Sequence, residues 1–226
     1  MAWQDFDWLD FEIGQYKESL DHRVREAYIA AYSVLEKAYR EGKEKLEQEL
    51  KKVTNEEDFN LTTQIIDYED FRWVEQTEAL AAMALALLAS LVKGFLDEQK
   101  RRMDKTHPAD PKGYREKSEL LKLVAEYRAR FNIDLEKIDG LETVREVNLA
   151  RNCCLHNGGS PTEDYIALTK QRLLDEMGNI NLTPDQLDSL VKELGQFIDS
   201  VSKQMSDVRK KASEEKVASS SSQDAK

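Results

Sequence analysis

The residues best suited to chemistry lie in the stretch RNCCLHNGG, residues 151–159. An imidazole, here that of His156, can accept or donate a proton at neutral pH. The planar guanidinium of Arg151 matches phosphate oxygens and stabilises the charge that builds on a pentacoordinate phosphorus. On a helix Asn152 and His156 share a face, and the long Arg151 side chain reaches toward them. The three residues therefore predict cleavage of RNA by attack of a ribose 2′-hydroxyl.

This reaction needs both a general base and a general acid, but the stretch contains a single histidine. A symmetric dimer supplies the second one, because a two-fold axis beside the helix end brings two arginines and two histidines into one cleft. The sequence thus predicts a homodimer with a composite site.

The RxxxxH spacing, with Asn152 directly after the arginine and Asn-Gly after the histidine, resembles the HEPN superfamily, whose active members are metal-independent endoribonucleases. The resemblance implies an all-α bundle, a homodimer that pairs the motif helices, RNA as substrate, and neither cofactor nor metal. It also implies a setting in toxin–antitoxin, phage-defence or RNA-processing systems, with a regulatory or antitoxin protein as a partner. At the positions that match the motif, the resemblance assigns phosphate binding to Arg151, an orienting role to Asn152 and proton transfer to His156.

A second pair with the same spacing, Arg102 and His107, fits the motif less well. Met103 follows that arginine, and Pro108 disfavours helix at His107. One HEPN subgroup carries a tyrosine two residues after the histidine, which a partner nucleotidyltransferase modifies. This chain has Gly158 there, which predicts that it lacks that form of control.

Other interpretations of the motif stay open. His156 can be a helix C-terminal residue that interacts with the helix dipole, and Arg151 can pair with Glu146 or Glu142 of its own helix. In a second interpretation the chain is a catalytically inactive helical binding module that uses segments 16–53 and 79–92 as contact faces. In a third it is a nucleotide-binding regulator whose Arg151 holds a phosphate without cleaving it.

Cys153 and Cys154 favour neither a metal site nor a thiol nucleophile. A closed zinc site needs four ligands, and no second Cys or His pair accompanies Cys153 and His156. Both cysteines lie among Leu and Ala, as is typical of the buried side of a helix. We expect them to pack in the core.

Apolar residues at steps of three and four predict the helices that position the motif. They run over 16–53, about 61–104, 114–131 and a segment ending at His156, where Gly158 and Gly159 stop the helix. Ser160 and Thr183 each begin a capping-box pattern that opens another helix, although residues 161–178 are irregular enough for extended chain. The fold class is therefore all-α, an up-and-down bundle of about five to six helices.

Composition narrows the functional classes. The 226 residues include 33 basic and 44 acidic side chains, a net charge of −11, which argues against a generally cationic nucleic-acid binder. Residues 100–130 reverse this balance with ten basic and five acidic residues, and form either a polyanion-docking surface or helix faces that exchange charge at i to i+4 spacing.

The sequence also predicts where the protein is located and where its domain ends. The N-terminus lacks the features of a signal peptide, and the apolar run 79–92 is shorter than the roughly 18 residues that a bilayer requires. We expect a cytoplasmic protein without membrane contact. Residues 1–206 are predicted to form one helical domain, and the Ser-, Lys- and Glu-rich residues 207–226 a disordered tail.

Overall fold

In the computed structural model the described residues are 8–103 and 118–221. They are mostly helical, and their strand pairing is limited to one isolated antiparallel bridge between Leu174 and Ile180. The all-α prediction is confirmed. The helices are α1 (Trp8–Glu18), α2 (Ala27–Leu50), α3 (Glu56–Met103), α4 (Glu119–Phe131), α5 (Leu141–Asn157), α6 (Glu163–Leu168) and α7 (Pro184–Ser221), with a π-helical segment at Ser19–Glu26 and a 3₁₀ turn at Leu135–Lys137.

The helix predicted over 16–53 is present but changes its winding. α1 continues through the wider π-helical segment into α2. Leu20, Val24 and Tyr28 are buried at steps of four residues. The two predicted segments on either side of the 106–113 loop correspond to α3 and α4, while the loop itself, including His107, lies outside the described residues.

One predicted cap is correct and one is wrong. At the start of α7 the Thr183 hydroxyl accepts from the Gln186 amide at 3.3 Å, and the Gln186 side chain accepts from the Thr183 amide at 2.7 Å, which confirms the capping box. The N-cap of α6 is Thr162 rather than Ser160, and its hydroxyl accepts from the Tyr165 amide at 3.2 Å. Two acidic residues follow Thr162 in the first turn, where the helix dipole favours negative charge.

α7 continues to Ser221, through most of the predicted tail 207–226, whose disorder stays a prediction. Lys, Glu and Ala are strong helix formers, and lengthening an anchored helix avoids the cost of nucleating a new one. Arg209 supports this extension with a hydrogen bond of 2.8 Å to Gln99. Residues 222–226 lie outside the described residues.

The described chain groups into two compact units where the sequence predicts one domain over 1–206. The first unit contains residues 8–20, 88–103, 118–145 and 190–221, and the second contains Asp21–Leu87 and Glu146–Ser189. The motif residues belong to the second unit.

The first unit has a closely packed core of aromatic and aliphatic side chains. The Tyr127 hydroxyl donates to the Leu96 carbonyl at 2.7 Å, and the Tyr127 ring meets Phe131 edge to face. Gly140 has a φ of +92° and lies against Phe197, so a side chain at this position would be strained and would collide.

Within the described residues, one helix, α3, is long and apolar enough to cross a membrane by length and composition. Its most apolar window of 18 residues has a mean hydropathy of 2.1, and 44% of that window is buried inside the protein. Core helices of proteins in water pass the same test, so the predicted lack of membrane contact stays a prediction.

Candidate active site

The motif lies on the last turns of α5, and the packing of that helix decides which motif residues face water. Val147, Ala150 and Cys153 are buried at steps of three. Asn152 and His156 point the other way and are exposed, while Arg151 is half-buried. The sequence thus produces an amphipathic helix end whose polar side carries the three predicted site residues.

The structure brings two of the three predicted residues into direct contact. Arg151 donates from Nη1 to Asn152 Oδ1 at 3.3 Å. His156 lies one turn further along the face of Asn152, about 40° around the helix. Within the described residues, no hydrogen bond or ion pair holds the His156 ring, which is exposed to solvent.

The alternative pairing of Arg151 with Glu146 is wrong. Glu146 is 2% exposed and accepts from the Arg172 amide and the Arg172 Nε, each at 2.8 Å. Its Oε1 also accepts from the Tyr165 hydroxyl at 3.3 Å. The guanidinium of Arg151 is therefore not engaged by this carboxylate.

Glu146, Tyr165 and Arg172 form a buried network that attaches the segment 160–182 to α5. Burial first, and the nearby Glu146 charge second, raise the pKa of the Tyr165 hydroxyl, which stays protonated and can donate. Sequence reasoning missed this network. The available signal was an acid, Glu146, among the apolar positions of a helix, because such an acid needs a buried partner.

The turn after α5 is fixed by the two glycines. Gly158 and Gly159 have φ angles of +58° and +84°, which glycine adopts without strain. The Gly159 amide donates to the Cys153 carbonyl at 3.2 Å, and the Gly159 carbonyl accepts from the Ile180 amide at 2.8 Å. The predicted glycine stop is confirmed, and it ends the helix one residue after His156.

Of the two cysteines at this helix end, Cys153 packs in the core as expected, whereas Cys154 is half-buried. Cys153 is fully buried, and its sulfur accepts from the Thr162 amide at 3.4 Å. Burial, together with the nearby Cys153 and Glu78 groups, raises the pKa of the Cys154 thiol to about 11. The raised pKa disfavours the thiolate of Cys154, which is the form that acts as a nucleophile.

One group of potential metal ligands occurs in the described residues, and it does not involve the motif. Ligand atoms of Asp21, His22 and Glu26 lie within 4.8 Å of one another. All three side chains already have partners: His22 Nδ1 contacts Glu26 at 2.9 Å, and Asp21 contacts Arg25 at 3.2 Å. Exposed acidic groups of this kind are common without a metal, so we assign no metal site to them.

The basic stretch 100–130 is predicted to be either a polyanion-docking surface or a set of helix faces that exchange charge. Where the structure describes this stretch, it fits the second alternative. Its six described basic residues all lie in ion pairs with acidic residues of the first unit; they are Lys100, Arg101, Arg102, Lys122, Arg128 and Arg130. Most of these pairs are three or four residues apart on one helix, as expected for charges exchanged along helix faces. The remaining basic residues of the stretch lie outside the described residues.

Comparison with known proteins adds no family to this description: no family model, no curated protein and no solved structure matches the chain. The resemblance to the HEPN superfamily therefore depends on the motif and on the helical character of the chain.

Proposed function

We propose that this protein is a HEPN-type endoribonuclease that cleaves RNA without a metal, through Arg151, Asn152 and His156 of two copies of the chain. The same resemblance extends the proposal to a cytoplasmic effector of the toxin or phage-defence kind, held by a regulatory or antitoxin protein.

One observation carries the proposal: Asn152 and His156 face water on a helix whose opposite side is buried. Asn152 and His156 are exposed, and Ala150 and Cys153 are completely buried. A histidine placed only to complete the fold would be held by neighbouring groups. His156 instead has no hydrogen-bonding partner among the described residues and remains available to a ligand.

The proposed reaction uses the two histidines in turn. His156 of one copy takes the proton of the ribose 2′-hydroxyl as its oxygen attacks the adjacent phosphorus. Arg151, oriented by Asn152, stabilises the added negative charge on the phosphoryl oxygens. The second copy's histidine gives a proton to the departing 5′-oxygen. The products are a 2′,3′-cyclic phosphate and a 5′-hydroxyl, so atoms and charges balance without a cofactor.

The test is cleavage of single-stranded RNA by the purified chain in the presence of EDTA, with the ends identified by mass spectrometry. His156→Ala removes the group that transfers the proton and should lower the cleavage rate by roughly 10²- to 10⁴-fold. Arg151→Ala should cause a loss of similar size by removing charge stabilisation.

The matched control is His22→Ala, because His22 is an exposed histidine of the same unit that lies in the π-helical segment. This variant should cut as fast as the parent. Equal cleavage by the parent and by His156→Ala would contradict the proposal, as would cleavage that EDTA abolishes.

A second candidate function is a catalytically inactive helical binding module. The observation that favours it is the set of large apolar side chains that α3 exposes, among them Tyr68, Met83 and Leu87. This function predicts no cleavage by the parent chain, and loss of a bound partner when the apolar face is given a charge.

A further inference from the structure

One face of α3 exposes large apolar side chains over almost its whole course in the second unit. We name this face the α3 stripe; its apolar members are Leu61, Ile65, Tyr68, Ala79, Met83 and Leu87. Tyr68 is 60% exposed and Met83 is 64% exposed. Because the residues recur at helical spacing, the stripe lies opposite the buried side of the helix, which contains Ala81, Ala84 and Leu88.

An apolar face of this length, interrupted only by Arg72 and Glu75, is uncommon on a protein that has no partner. From Leu61 to Leu87 the stripe runs about 39 Å along the helix. Exposed apolar patches that exceed a few hundred Å² mark interaction sites. The distribution of charge and side-chain size along the stripe indicates which partner fits.

We infer that the α3 stripe binds the α3 stripe of a second copy of this chain, antiparallel, about a two-fold axis near residues 73 and 74. The apolar residues fall into two groups, separated by Arg72 and Glu75. Antiparallel pairing about this axis sets Arg72 of one copy opposite Glu75 of the other. Each copy makes the same contact, as a two-fold interface requires.

The same register matches the apolar residues in size and character. Leu61 is set within one residue of the position opposite the second copy's Leu87, and Ile65 within one residue of the position opposite its Met83. The large Tyr68 is set opposite the small Ala79, which leaves room for the ring. Pairs of this kind fill space between closely packed helices in the manner of knobs and holes.

Charge excludes the parallel arrangement. Residues 56–78 contain eight acidic side chains and one basic one, whereas residues 79–92 contain no charged side chain. Antiparallel helices place the acidic half of one copy against the uncharged half of the other. Parallel helices would bring the two acidic halves together and would set Arg72 against Arg72.

The acidic half also disfavours two other occupants. A nucleic acid or an anionic membrane surface would be repelled by residues 56–78. Arg72 already pairs with Glu69 of its own helix at 2.9 Å, so a second carboxylate from Glu75 of another copy would extend this pair into a small network.

This interface would bring two copies of the motif close together, and that part of the inference rests on the proposed function. The pKa of Cys154 is raised in part by the nearby Glu78, so the motif end of α5 lies beside residue 78 of α3. Glu78 stands about 7 Å along the helix from the inferred axis. Along α3 each motif therefore lies near the level of the axis.

The experiment measures the mass of the full-length protein in solution by sedimentation velocity over a range of concentrations. The parent should be a dimer. Met83→Glu buries a charge against Ile65 of the other copy and should raise the dimer dissociation constant by roughly 30-fold or more. The matched control is Val34→Glu, because Val34 is 68% exposed on α2 and lies outside the stripe; this variant should remain a dimer.

A charge exchange tests the register itself. Arg72→Glu and Glu75→Arg should each weaken the dimer, because like charges then meet at the axis. The double variant with both changes should restore it. A monomeric parent, a dimer that persists in Met83→Glu, or a double variant no stronger than the single ones would overturn the inference. Binding of the monomeric parent to anionic lipid vesicles would also overturn it.

Cleavage assays on the same proteins separate this inference from the proposed function. If the stripe variants become monomers and lose cleavage, both stand. If they become monomers while the parent dimer cuts no RNA, the interface stands and the nuclease proposal fails. If the parent is a monomer that cuts RNA through His156, the interface fails and the histidine assignment remains.

Discussion

The second unit contains two groupings of a tyrosine, a carboxylate and a cation, and they differ in burial. Tyr165, Glu146 and Arg172 join the segment 160–182 to α5, with the carboxylate 2% exposed. In the other grouping Tyr39 and Lys43 of α2 both donate to Asp70 of α3, at 2.6 and 2.8 Å. There the carboxylate side chain is 42% exposed.

The difference shows what each grouping contributes. Groups removed from water must be paired, so the buried grouping has a large effect on stability when one member is lost. The grouping between α2 and α3 is reached by solvent, where an ion pair contributes little. The α2–α3 hairpin, residues 29–76, therefore depends on aromatic contacts, and none of its residues is fully buried.

The largest effect is expected at Glu146. Glu146→Ala leaves the Arg172 amide and the Tyr165 hydroxyl without their acceptor, and should reduce the free energy of unfolding by about 3 kcal/mol. Urea unfolding followed by circular dichroism measures this loss. The conservative variant Glu146→Gln keeps an acceptor and should lose less. A loss from Glu146→Ala no larger than that from Asp70→Ala would contradict the expected difference between the buried and the exposed grouping.

A smaller effect is expected at Trp73, the aromatic centre of the hairpin. Its ring stacks on Tyr39 with centroids 5.0 Å apart and meets Tyr32 edge to face at 5.5 Å. Trp73→Ala removes both contacts and should reduce stability by about 2 kcal/mol. The matched control is Phe71→Ala on the same helix, because Phe71 is 57% exposed. Equal losses from the two variants would show that the ring contacts do not hold the hairpin.

The smallest effect is expected at Asp70 and depends on pH. Burial alone would raise the pKa of Asp70, but hydrogen bonds from Lys43 and Tyr39 outweigh it and hold the pKa below its ordinary value. A carboxyl with a lowered pKa stabilises the fold above the pKa of the unfolded chain, near 4, and this contribution is lost as the pH falls further. Because the pair is exposed, the contribution should stay below about 1 kcal/mol.

Comparison of Asp70→Asn with the parent checks this prediction. The parent should be slightly more stable at pH 7, and the difference should shrink as the pH falls below about 4. A difference that persists or grows in acid would show that the carboxylate charge is not the source of the contribution.

Local patterns predicted the helices well because their causes are local. Thr183 and Gln186 lie three residues apart, and their reciprocal bonds need no other part of the chain. The prediction of Ser160 as the N-cap of α6 was wrong, because Thr162 is an equally suitable cap that is followed directly by acidic residues. Thr162 also donates its amide to Cys153, a contact between residues nine apart that a search for caps does not consider.

The candidate site was predictable in part for the same reason. The outward direction of Asn152 and His156 follows from the spacing of buried residues along α5. The role of Glu146 was not predictable, because its partner Arg172 lies 26 residues further along the chain. The apolar run 79–92, which the binding-module interpretation uses as a contact face, has one buried and one exposed side: Leu88 is buried and Met83 is exposed.

The ion pairs of residues 100–103 and 118–130 have a consequence for the thermodynamics of nucleic-acid association. Binding to a polyanion is driven largely by the entropy gained when condensed counterions leave the nucleic acid. Each described cation of that stretch already faces a carboxylate, as Arg128 faces Asp134 and Glu136 at 2.6 Å. A phosphate arriving there would have to expel these acids before it could replace a sodium ion, so this surface of the first unit contributes little ionic-strength dependence to any such encounter.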